Sequence, residues 1–150
     1  MPPRFYDDQP PPPATAEQVE RTEAELGGAL PEEHRRFLLE HNGGYLEPNV
    51  FADRFAVHQF FSAGESGDED VRDLVEIRRE HGPDGDPTLA IPERCVPFAM
   101  DEGGNLFCFD RERDDAVVLW HHDVAEDEDP FEPVAGAFAE FWDGLEDDPP

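Results

Sequence analysis

Few side chains in this sequence are placed to act as nucleophiles. Only Ser62 and Ser66 offer a serine hydroxyl, and neither lies in the Gly-x-Ser-x-Gly setting of a strand-turn-helix nucleophile. Thr15, Thr22 and Thr88 fall at a helix cap, a helix face and a loop. Cys95 and Cys108 sit in apolar, strand-like runs, where burial raises a thiol's pKa and blunts its reactivity. Their spacing fits no zinc motif. His121-His122-Asp123 closes a strand, where adjacent side chains point to opposite faces, so the two imidazoles cannot converge on one ion. Asp84-Gly85-Asp86 and the run Glu126 to Asp129 gather carboxylates without the spacing of a calcium loop. Gly103-Gly104 joins two strands, with no helix N-terminus or Lys following to hold a phosphate. Paired carboxylates discriminate nothing in a chain with 38 acids among 150 residues. The reading is therefore no catalytic residue, no metal and no cofactor, and the chain is not expected to be an enzyme.

The chemistry that remains is charge. The 38 acids face 11 bases, all of them Arg, for a net charge of −27. Nucleic acid and anionic membrane surfaces would both be repelled, which excludes them as direct partners. Two explanations stay open: a solvated surface suited to salt or to an Arg-biased composition, or acid aimed at a basic protein. No base follows Arg113, whereas residues 114–150 hold thirteen acids. The candidate contact surface is accordingly Asp110, Asp114, Asp115, Asp123, Glu126, Asp127, Glu128 and Asp129. Trp120 and Trp142 are candidate aromatic anchors, although each also occupies a core-like position in its strand or helix.

These residues must be positioned by a modest core. Leu, Ile, Val and Phe number 34 of 150, just enough for a highly charged chain to fold. Twelve of them are Phe, each able to bury a large apolar area. No apolar run approaches the ~20 residues of a membrane span. The start, Met1-Pro2-Pro3-Arg4-Phe5, lacks the pattern of a signal peptide, so a soluble cytoplasmic protein is expected. Residues 1–14 read as a Pro-rich tail, and 15–147 as a single domain.

Within that domain, Thr15 and Gln18 form a capping box for a helix that Gly27-Gly28 ends. A second helix opens at Pro31, with His34, Phe37, Leu38 and His41 on one side, and stops at Asn42-Gly43-Gly44, where Gly43 can take the left-handed cap. Strand character follows from Tyr45 to Ser62, then a third helix over about Glu69 to His81. The clearest β signal is Cys95–Met100 and Asn105–Phe109 around a Gly-rich turn, followed by a third strand, Ala116 to His121. A turn centred on Gly103-Gly104 sets Phe98 opposite Phe109 and Met100 opposite Phe107, and leaves Cys95 about four residues from Cys108, hence two free thiols. A last helix is predicted from about Pro133 to Leu145. The sum is an α+β fold: a mostly antiparallel sheet with about four helices packed around it.

Four segments, in order, carry a family resemblance. Leu30 to Gly44 follows Leu-Pro-x-x-Tyr/His-x-x-Phe-Leu-x-x-x-Asn-Gly-Gly; Val96 to Asp110 matches a Pro-Phe-Ala hairpin with Gly-Asn at its turn; Val117 to Asp123 and Val134 to Leu145 match a strand and a closing helix. Together they resemble the SUKH superfamily, which includes yeast cell-wall assembly regulators and many bacterial immunity proteins. Gly136-Ala137 departs from the small hydroxyl residue frequent there. The resemblance implies an α+β fold and a non-enzymatic binding protein. On its bacterial side it implies neutralisation of a cognate basic toxin, a nuclease or deaminase, by stoichiometric binding and occlusion. On its eukaryotic side it implies a regulatory scaffold for an intracellular signalling partner.

Overall fold

Thr15 opens the first helix in the way its spacing to Gln18 predicts. In the computed structural model, which describes residues 4–5, 12–47, 50–52, 54–64, 71–81, 91–92, 94–122 and 129–146, the Thr15 hydroxyl accepts the Gln18 N–H at 3.1 Å. The Gln18 side chain in turn accepts the Thr15 N–H at 2.9 Å, and two of the helix's spare donors are thereby satisfied. Helix α1 (Ala16–Leu26) buries Val19, Thr22 and Leu26 and ends at Gly27, which turns left-handed at φ +82°. Helix α2 (Glu32–Glu40) follows Pro31 and buries His34, Phe37 and Leu38.

The end of α2 differs from expectation. Its cap is His41 in an extended conformation, so Gly43 is not the left-handed helix stop. Gly43 does take φ +82°, for another reason. A Cβ there would stand 2.7 Å from the Phe60 carbonyl oxygen, so only Gly lets this segment lie against the backbone of Phe60 and Phe61. Asn42 completes the joint: it is buried, and its amide accepts the Ala63 N–H at 2.8 Å and donates to the Ala63 carbonyl.

Among the described residues, ten short strands make three sheets. Strand β1 (Arg4–Phe5) pairs with β2 (Leu46–Glu47), so part of the stretch expected to be a tail is paired. Strand β3 (Val50–Phe51) lies between β4 (Phe55–Ala56) and β10 (Leu145–Glu146). The main sheet is antiparallel throughout, in the order β5 (Gln59–Phe60), β6 (Cys95–Met100), β7 (Leu106–Asp110), β8 (Ala116–Trp120), β9 (Phe131–Ala135). Helix α3 (Leu74–His81) follows β5, and α4 (Phe138–Asp143) follows β9. The α+β class is as predicted. In β6 and β7 successive residues are buried, so both faces of the sheet are covered.

Three expectations fail locally. Helix α3 starts at Leu74 rather than near Glu69, because the Asp73 carboxylate takes the N–H groups of Val75 and Glu76 at 2.9 and 3.1 Å and fixes the start there. The β6–β7 register is shifted: Met100 pairs with Leu106, Ala99 with Phe107 and Val96 with Phe109, with an irregularity between Pro97 and Ala99. The cause is Asp101, whose Oδ1 accepts the N–H groups of both Gly103 and Asn105 at 2.9 Å and sets a longer turn than Gly-Gly alone. Cys108 therefore opposes Pro97, two residues from Cys95 rather than four, yet both cysteines are buried free thiols. Finally, Phe131–Ala135 forms β9 on the edge of β8, and the closing helix is confined to Phe138–Asp143. Its N-cap is Ala137, extended and with no side-chain cap bond.

The core is aromatic. Phe98 stacks on Phe109 with centroids 4.3 Å apart and planes 12° from parallel, even though the register pairs Phe109 with Val96, two residues away. Phe138 and Phe141 from α4 meet Phe98 edge-on at 5.6 and 5.7 Å. His34 enters the same cluster from α2, between 4.9 and 6.0 Å from the rings of Phe37, Phe98, Phe109 and Phe138.

Candidate functional site

Of the eight acids nominated as a contact surface, Asp110, Asp114, Asp115 and Asp129 are described, and they stand at three different places. Asp110 ends β7 and is 3% exposed. Its carboxylate faces Arg94 at 3.4 Å and Arg113 at 3.6 Å and accepts the Glu112 N–H at 3.1 Å, so it organises the Arg111–Arg113 turn and presents no charge outward. Asp114 and Asp115 follow it with φ of +56° and +61°, a left-handed pair that Asp tolerates better than most residues. The Asp115 N–H returns to the Asp110 carbonyl at 3.0 Å, which closes the turn into β8. Partial burial lifts the Asp115 carboxyl above the usual range, Arg111 opposes that, and Asp114 adds to it. Asp129 is exposed at the opposite end of β8, where its carboxylate accepts the Phe131 N–H at 3.0 Å. Asp123, Glu126, Asp127 and Glu128 lie outside the described residues. The five residues of β8 hold the two described groups ~13 Å or more apart.

The candidate anchors also separate. Trp120 is 3% exposed and belongs to the core. Trp142 is half-buried on α4, with its ring 5.0 Å from Phe37, 5.8 Å from Phe60 and 6.0 Å from Phe138. It stands in a groove of about 110 Å³ between α2 and α4, bordered by Glu33, Glu40 and Asp143. Sequence reasoning did not single this groove out. Its signal was two aromatic pairs at i, i+4, Phe37 with His41 and Phe138 with Trp142, one on each helix.

The residues weighed for catalysis are committed to architecture. The Ser62 hydroxyl donates to the Gly64 carbonyl at 2.6 Å. Burial holds the Cys95 thiol up at about 11 and Cys108 well above its ordinary value, so both stay protonated and weakly nucleophilic. His121 and His122 diverge: His121 meets Glu132 at 3.1 Å and His122 meets the Gly103 carbonyl at 2.6 Å. Among the described residues no group of three His, Cys, Asp or Glu side chains is gathered in a way that could hold a metal. His34 is fully buried with neither ring nitrogen hydrogen-bonded, and desolvation lowers its pKa to about 3, so the imidazole is neutral. No described helix is long and apolar enough to cross a membrane.

The described residues thus offer a buried aromatic core, a half-open aromatic groove between α2 and α4, and exposed carboxylates beside it. Comparison with known proteins agrees with the fold. The chain is 26% identical over 147 residues to the SPbeta prophage-derived uncharacterized protein YokK of Bacillus subtilis (strain 168), covering 90% of this chain and 76% of that protein. The four sequence segments, the sheet they build and a match of the SMI1 / KNR4 family (SUKH-1) across residues 13–144 agree, and the chain belongs to that family.

Proposed function

We propose that this protein is an immunity protein: it binds a cognate basic toxin in the cytoplasm, one to one, and neutralises it by covering the toxin's active groove. The observation that carries the reading is the uncompensated negative field of a chain with net charge −27. Eight of its arginines, among them Arg35, Arg54, Arg72 and Arg94, are already in ion pairs with its own carboxylates. Among the described residues Glu40, Asp114, Asp129 and Asp143 are exposed and belong to no ion pair. A toxin that works on nucleic acid must carry a basic surface, and opposed potentials speed encounter and select the right partner. Family membership supports a binding role.

Co-expression of the full chain with the product of the adjacent gene tests this. The expected result is restored growth in cells that the neighbour alone arrests, and a one-to-one complex on size exclusion with light scattering. Growth arrest that persists despite co-expression overturns neutralisation. A stable complex with a partner that harms no cell would move the protein to the regulatory-scaffold reading.

A further inference from the structure

We propose that the groove between α2 and α4 is a socket for an arginine side chain of the basic partner. The inference rests on the binding role proposed above and names a place and a chemistry for it.

The groove's wall is aromatic. Phe37 and Phe138 are buried beneath it, and Trp142 alone of the three rings is partly open to solvent. The Trp142 ring is held by Phe37, Phe60 and Phe138 at 5.0 to 6.0 Å, so it is already in place before anything binds. The indole face is the strongest aromatic acceptor for a cation, and guanidinium, being planar and weakly hydrated, is the cation that most readily stacks on it.

The rim is acidic and partly unspent. Arg36, the one Arg or Lys lining the groove, is committed to Glu32 at 3.7 Å and Glu33 at 3.4 Å. Glu40 and Asp143 form no ion pair among the described residues, and both are exposed beside the ring. Burial lowers the His41 pKa, with Glu40 opposing, which disfavours a compensating positive charge there. A volume of about 110 Å³ takes the end of one side chain, not a helix or a drug-sized ligand. Trp and Arg are both enriched among the contacts that dominate interface energies, which cluster in well-packed pockets.

The test needs no toxin. Acetyl-arginine-amide is titrated into the full-length protein and followed by the indole N–H signals in a proton–nitrogen NMR spectrum, with acetyl-citrulline-amide as the uncharged analogue of equal shape. Arginine should shift the Trp142 indole saturably at millimolar concentration, leave Trp120 in place, and bind roughly tenfold more weakly to the Glu40→Gln/Asp143→Asn protein. These two exposed substitutions leave the core intact, whereas Trp142 variants disturb its packing. No shift of Trp142, or equal shifts from citrulline, overturns the socket. Once the toxin is in hand, unchanged affinity for Glu40→Gln/Asp143→Asn would also overturn the socket while leaving immunity standing. Failure of neutralisation with arginine binding intact would instead remove the immunity reading alone.

Discussion

Inside α2 the His34 ring touches other rings and finds no hydrogen-bond partner. Its folded pKa of about 3 lies below the 6.5 of the unfolded chain, so as pH drops below 6.5 the unfolded state takes the proton first. Stability from this residue is complete above 6.5 and is lost progressively towards 3. Between pH 6.5 and 5 the loss is about 2 kcal/mol, at about 1.4 kcal/mol per unit. Urea unfolding of His34→Phe should show a shallower decline over that interval than the parent; equal slopes would mean the buried ring accepts a proton without unfolding. Two glycines with the same φ separate backbone strain from crowding. Gly27→Ala meets open space and should cost about 1 kcal/mol, the left-handed penalty alone. Gly43→Ala also drives a Cβ into the Phe60 and Phe61 backbone, and should cost about 2–4 kcal/mol. If the two variants unfold alike, the joint at Asn42-Gly43 is looser than its 2.7 Å approach implies.

At the scale of elements, what was legible in the sequence was whatever neighbouring residues decide between themselves. The Thr15–Gln18 box and the Gly27 stop need no partner from elsewhere in the chain. Asp73 with Glu76 was a similar local signal, and missing it placed the start of α3 too early. The stretch Val134 to Leu145 has helical spacing throughout, but its first part became β9 because the edge of β8 needed backbone partners, a demand that no local pattern records. Of the candidate contact acids, only the described four can be compared with their reading. Asp110 looked like its neighbours in sequence and is buried under two arginines, and β8 divides Asp114 and Asp115 from Asp129. The paired strands β6 and β7 carry a prediction of their own. With thiols buried at Cys95 and Cys108 and held protonated, native protein at pH 8 should react with a disulfide reagent at a small fraction of the rate seen in denaturant. Rapid labelling of either cysteine in the native state would show that this sheet opens.

For the molecule as a whole, charge should set how fast a partner arrives. On the immunity reading proposed above, replacing Asp114, Asp115, Glu126, Asp127, Glu128 and Asp129 by Asn and Gln should slow association with the toxin several-fold at low salt, with little effect at high salt. Stopped-flow mixing at two ionic strengths measures this, and an unchanged rate would leave the acid to serve solubility alone. The small sheets bear on a different property. Strand β1 is clasped by β2 and strand β10 by β3, and β2 and β3 both fall within residues 46–51. One short segment thus latches strands from nearly opposite extremes of the sequence. If it lets go, it lets go of both. Val50→Pro, which breaks a strand paired on both sides, should speed hydrogen–deuterium exchange at Phe5 and at Leu145 together. Acceleration at Leu145 alone would show two separate fasteners. A shared latch also means that a fusion straining either outer strand would be felt by the other.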